Sequence, residues 1–135
     1  MGRQKIILKD TFKVINNAND LCIETLRVIC NDDIFPKRSR WLIAGKIADL
    51  VNDFHTCMHL ANEIRVSNRK EADDRHRYQI LALSHLEALE EKIELAKVVL
   101  NINVNKVEEW SGKWNEEEKL LKNWISKDTK RYADL

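Results

Sequence analysis

The stretch RWLIAGKIADLVNDFHTCMHLANEI, residues 40–64, decides the fold. Ala44, Ile47, Val51, Phe54, Met58 and Ala61 recur in it at alternating steps of three and four, with Ile43, Leu50, Cys57 and Ile64 beside them. Side chains three and four apart share one face of an α-helix, so these positions make a single broad apolar stripe. A stripe wider than a two-position seam faces more than one neighbour, as a helix inside a bundle does. At about 1.5 Å per residue the stretch is ~37 Å long, which sets the length of the molecule.

The rest of the chain reads as partners for that rod. Its 135 residues suffice for one domain with its own core. With 3 glycines, 1 proline and 33% charged residues, the composition favours long helices over a turn-rich sheet fold. A first helix is expected over about residues 7–30, its inner line being Phe12, Ile15, Cys22, Leu26 and Ile29, with Val14, Ala18, Leu21 and Val28 alongside. Asn19 interrupts that line, either fixing the register or pointing outward. Asn31-Asp32-Asp33 stops the helix and Ile34-Phe35-Pro36 turns the chain, since proline lacks a donor and disfavours helical geometry before it. A second helix follows over 38–66, where Gly45 would admit a close neighbour. A third runs over 69–100, opened by a capping box of Asn68 and Glu71. Its inner line is Tyr78, Ala82, His85, Leu89, Ile93, Ala96 and Leu100, flanked by Leu81, Leu86 and Val99. Asn105 with Glu108 predicts the start of a fourth, over 106–127, with frayed residues beyond it. Short links between four long helices predict an all-α, antiparallel up-down-up-down four-helix bundle, a single domain over 1–135.

Chemistry is thin on these helices. His55 and His59 lie one turn apart with Glu63 a turn further, a spacing that can hold a metal on one face. The glutamate of HExxH is missing and no pair of ExxH motifs exists, so the histidines read as edge residues and no metal or cofactor is expected. His85 reads as a hydrogen-bonded core histidine. No phosphate loop, serine elbow or Cys/His pair can be assembled, so an enzyme is not expected. Cys22, Cys30 and Cys57 are an odd number at wide spacing, which argues for reduced thiols and a cytoplasmic setting. Lys9 and Asp10 cut short the apolar run after Arg3 and Lys5, and no segment reaches the ~20 apolar residues of a membrane span. Trp110, Trp114 and Trp124 are heavier than a monomer core requires. They either cap the bundle or form an interface, where aromatic residues are enriched.

Charge is more telling than its total of +1. An alternating bundle gathers residues 1–13, 63–77 and 122–135 at one end, with net charges of +3, +1 and +2. The other end pools residues 24–40 at +1 and 90–110 at −2. The basic end therefore offers Arg3, Lys5, Lys9, Arg65, Arg69, Lys70, Arg75, Arg77, Lys127, Lys130 and Arg131 to a phosphate backbone, RNA or DNA, with salt-sensitive affinity.

Phe35-Pro36-Lys37, then Leu42 and Lys46-Ile47-Ala48, and Ala61-Asn62-Glu63 resemble two related groups of small four-helix proteins. One group is encoded in intervening sequences of bacterial ribosomal-RNA genes; the other is the accessory variability determinant of diversity-generating retroelements. Leu86-Glu87-Ala88-Leu89 through Leu95-Ala96 matches either, whereas the first group's glycine and Ser-rich turn after the second helix is replaced by Ile64-Arg65-Val66 and Ser67-Asn68-Arg69-Lys70. The ending Asn123-Trp124-Ile125-Ser126-Lys127 looks more like the second group. That resemblance implies a homo-oligomer, by analogy a pentamer, that binds a reverse transcriptase and the template RNA or its copy and has no catalytic centre. The ribosomal-RNA group implies instead a structural or interaction protein that ignores nucleic acid.

Overall fold

The computed structural model describes the backbone of residues 2–135 and the side chains of residues 13–39 and 41–135. Among the described residues the chain is all-helical, with four α-helices and no strand: α1 (Gly2–Ile29), α2 (Gly45–Glu63), α3 (Arg69–Val99) and α4 (Glu108–Arg131). Each helix packs on two others, α1 on α2 and α4, and α3 on α2 and α4. One core runs between them, from Val14, Ala18 and Leu21 of α1 to Ile47, Val51, Phe54 and Met58 of α2, Leu86, Leu89 and Ile93 of α3, and Trp110 and Leu121 of α4. No described helix is long and apolar enough to cross a membrane.

The first corner is tied locally and then anchored. Asn31 O accepts from Phe35 N at 2.8 Å, and the Asn31 side chain accepts from Asp33 N at 3.0 Å. Phe35 is fully buried, edge-on to Trp110 at 6.3 Å between ring centroids. Beyond Pro36 the chain takes a short 3-10 turn, Lys37–Ser39, and a π-helical turn, Arg40–Ala44, before α2 begins. A π turn inserts an extra residue into the helical period. Trp41 and Leu42 stand outside the stripe here, 92% and 79% exposed. Gly45 is exposed at the join of the π turn and α2, rather than admitting a close neighbour as expected.

The second link carries the expected cap. Asn68 Oδ1 accepts from Glu71 N at 2.9 Å, satisfying a helix-start donor, and Glu71 Oε1 reaches back to Ser67 N at 3.1 Å. The third link differs from expectation. Asn101 takes a left-handed backbone, φ 52°, while Ile102 N bonds to Lys97 O at 3.1 Å and Asn101 N to Val98 O at 3.4 Å. These are the two bonds that close a helix through a left-handed residue, with asparagine in the place glycine usually takes. Asn103, not Asn105, then caps a short turn at Val104–Lys106, and Val107 precedes α4 without a side-chain cap.

The buried stripe of α3 keeps Ala82, Leu89, Ile93 and Ala96 of the expected line but is rotated at its start. It comprises Ala72, Arg75, Gln79, Ala82, Leu86, Leu89, Ile93 and Ala96, leaving Leu81 and Val99 exposed and His85 half-buried. Residues 128–131, expected to fray, continue α4, because Asp128 is buried against α3.

Candidate functional site

The start of α3 and the end of α4 meet in the best-defined polar constellation of the molecule. Arg75 Nε donates to Asp128 Oδ2 at 2.7 Å and Arg75 Nη2 to Asp128 Oδ1 at 3.4 Å. Gln79 Nε2 donates to the same Asp128 Oδ2 at 2.7 Å, and Arg75 Nη1 to Ile64 O at 3.3 Å. The Arg75 guanidinium lies 5.0 Å from the Trp124 ring centroid and 5.9 Å from that of Tyr132, within cation–π range. All three polar side chains lie on inward helical positions: 75 and 79 are one turn apart on α3, and 128 is one turn beyond Trp124. A buried carboxylate costs free energy unless paired and hydrogen-bonded, and Asp128 is both.

Over this pair lies a groove of about 260 Å³ between the helices, lined by Arg69, Asp73, His76, Gln79, Asp128 and Tyr132 among others. Arg69 spans its mouth, Nη1 donating to Tyr132 O at 2.9 Å and Nε to Asp73 Oδ1 at 3.1 Å. Gln79 Oε1 is buried and finds no partner among the described residues.

Around the groove the cations expected from sequence separate into three groups. Arg65, Lys130 and Arg131 are exposed, Arg131 reaching Tyr132 Oη at 3.3 Å, and Lys127 is exposed but engages a neighbouring group. Arg69, Lys70 and Arg77 are also exposed but carry carboxylates with them: Lys70 pairs with Asp74 at 3.0 Å and Arg77 with Asp74 at 2.6 Å. The hydrogen bond from Lys70 holds the Asp74 carboxyl below its usual range, as the bonds from Ser67 do for Glu71. Arg75 is buried on Asp128 and presents no cation to the surface. Arg3, Lys5 and Lys9 lie outside the described side chains.

Trp110, Trp114 and Trp124 are buried within the chain itself. Trp110 Nε1 donates to Thr25 Oγ1 at 2.8 Å, and the Thr25 hydroxyl donates onward to Leu21 O at 2.7 Å. Trp114 stacks edge-on to Trp110 at 4.9 Å and carries the Lys97 ammonium 5.4 Å from its ring centroid.

Two further groups lie outside the expectations drawn from sequence. Glu117 is fully buried between α4 and α1, where Asn17 Nδ2 donates to its Oε1 at 3.4 Å and its Oε2 has no partner among the described residues. Burial pushes its carboxyl up to about 9. Its place was readable, three residues past Trp114 and four before Leu121, on the line that carries the tryptophans. Glu90 on α3 is raised to about 7, first by burial and then by Glu118 of α4. That pairing across two helices has no signal in either helix's own period.

On α1 and α2, Asn19 Oδ1 contacts both His55 Nε2 at 2.7 Å and His59 Nε2 at 2.9 Å. Among the described residues no three His, Cys, Asp or Glu side chains converge on a metal position. No protein-family model, characterised protein or solved structure matches the chain.

Proposed function

We propose that the chain is a non-catalytic accessory protein of a diversity-generating retroelement. In this reading it assembles with copies of itself in the cytoplasm, as a pentamer by the resemblance drawn above, and binds the reverse transcriptase and template nucleic acid through basic surfaces. The helices alternate up-down-up-down, which pools basic segments distant in sequence. Bonds of opposite sense along the helices support that arrangement: Thr25 with Trp110 and Asn17 with Glu117, Arg69 with Tyr132 and Arg75 with Asp128, Cys22 with Asn52 and Asn19 with His55.

The observation that carries the reading is the set of exposed cations in the α2–α3 link, the start of α3 and the end of α4, Arg65, Arg69, Lys70, Arg77, Lys127, Lys130 and Arg131, in a chain whose net charge is only +1. Exposed Lys and Arg bind phosphates by releasing counterions, so affinity falls with salt. Fluorescence anisotropy with a labelled single-stranded RNA should show binding at 50 mM salt that weakens steeply by about 200 mM. Replacing Arg65, Lys130 and Arg131 by alanine together should lower the salt slope by about 2, at roughly 0.7 for each phosphate no longer neutralised. Absence of binding at the low-salt end would overturn the nucleic-acid role.

Asp73 and Asp74 favour a second reading, because they neutralise Arg69, Lys70 and Arg77 locally. A structural or interaction module like the ribosomal-RNA intervening-sequence group would oligomerise without binding RNA. Light scattering distinguishes the shared part: a monomer at micromolar concentration would remove the assembly from both readings.

A further inference from the structure

We propose that Asn19, His55 and His59 form a site for a divalent transition-metal ion, Cu²⁺ and Ni²⁺ ahead of Zn²⁺. The two imidazoles stand one turn apart on α2, their ring centroids 4.5 Å from each other. Both direct Nε2 at a single atom, the side-chain oxygen of Asn19 on α1. Sequence spacing alone offered Glu63 as a third donor, a turn further along α2. In the fold the third donor comes from the neighbouring helix and is an amide oxygen.

The separations select the metal. His55 Nε2 and His59 Nε2 lie 2.7 and 2.9 Å from Asn19 Oδ1. Donors about 2.0–2.1 Å from an ion stand ~2.9 Å apart when they subtend a right angle, and about 3.4 Å apart at a tetrahedral angle. The two nitrogen–oxygen edges lie near the right-angle spacing, the tetragonal preference of Cu²⁺ and Ni²⁺ with nitrogen and oxygen ligands. Three protein donors leave further positions to water. Asn19 Oδ1 only accepts, so each Nε2 carries a proton toward it; to ligate, a neutral ring moves that proton to Nδ1 and presents the Nε2 lone pair, and the ion takes the place of two N–H···O bonds. Both rings are half-buried, so the site is open to ions from solvent.

The test uses the untagged full chain titrated with CuCl₂, NiCl₂ and ZnCl₂ by calorimetry in a non-coordinating buffer. One ion per chain should bind, and the Cu²⁺ complex should show hyperfine coupling to two nitrogens in its paramagnetic resonance spectrum. The double variant His55→Gln/His59→Gln should lose at least about 100-fold in affinity, because it removes two direct donors where loss of a supporting group alone costs about 10–100-fold. Asn19→Asp keeps an oxygen donor and should bind at least as tightly as the parent chain, whereas His76→Gln/His85→Gln should bind unchanged. Circular dichroism verifies that each variant is folded. Equal Cu²⁺ affinity in the parent and the His55→Gln/His59→Gln chain would overturn the site, as would Zn²⁺ binding more tightly than both other ions.

Discussion

Two carboxylates sit on the inner line of α4, and the chain treats them in opposite ways. Asp128 is met by Arg75 and Gln79 of α3, with two bonds of 2.7 Å on one of its oxygens. Glu117 lies eleven positions earlier, still further removed from water, and receives a single contact of 3.4 Å from an asparagine amide. A short bond to a guanidinium offsets the desolvation of a carboxylate, whereas a long bond to a neutral amide does not. Glu117 accordingly holds its proton up to about pH 9. One end of α4 is joined to its neighbour by charge, and the middle is packed as though it were apolar.

The largest effect should come from breaking the paired end. Arg75→Met leaves Asp128 buried without its cation, a change that costs about 3–5 kcal/mol in comparable sites. Urea unfolding followed by circular dichroism should show stability fall by that amount. Adding Asp128→Leu should recover most of the loss, because replacing both members of a buried pair by apolar groups is often close to neutral. A single variant as stable as the parent chain would mean that the pair is exposed in solution, and the contrast with Glu117 would vanish.

The middle of α4 should be sensitive to pH instead. The folded-state pKa of Glu117, about 9, lies above its ordinary value of 4.5, so the folded chain binds more protons between those limits. Its contribution is fully present below pH 4.5 and is lost as pH rises toward 9, at up to about 1.4 kcal/mol per pH unit. Glu90, raised to about 7, acts with the same sign at lower pH, so the interval from 7 to 9 isolates Glu117. Over that interval the parent chain should lose about 2 kcal/mol more stability than Glu117→Gln, which cannot ionise. Parallel stability curves for the two chains would show that Glu117 is already charged at neutral pH.

The same two residues mark where sequence reading succeeds and where it stops. Helix number follows from apolar spacing, and the cap at Asn68 from local chemistry, because both depend on residues a few positions apart. Glu117 was within reach by the same rule, since the line through Trp114 and Leu121 passes through it. Arg75 and Gln79 were not. Charge and polarity point them outward, and only Asp128, more than forty residues away, offsets the cost of turning them inward. That rotation left Tyr78 half-buried against the core and His85 half-buried, and removed Arg75 from the exposed cations. The metal-spaced histidines show the converse: their spacing was plain, but Asn19, their common partner, lies on another helix. Periodicity sorts faces of a helix. Which polar groups meet across helices depends on packing.

The smallest effect concerns the two indole N–H groups that flank Glu117 along α4. Trp110 Nε1 donates to Thr25 Oγ1 at 2.8 Å, while Trp124 Nε1 is buried without a partner among the described residues. Phenylalanine removes a similar volume at either site, so the packing losses are comparable and the hydrogen bond makes the difference. Trp110→Phe forfeits that bond, worth about 1 kcal/mol net, though Thr25 still donates to Leu21 O. Trp124→Phe loses no bond and sheds an unsatisfied donor, while keeping an aromatic face beneath Arg75. Thermal unfolding should therefore rank Trp110→Phe below Trp124→Phe by about 1 kcal/mol. The reverse order would mean that Trp124 contributes more through the Arg75 guanidinium than Trp110 does through its hydrogen bond, and that the charged end governs α4 beyond the pair itself.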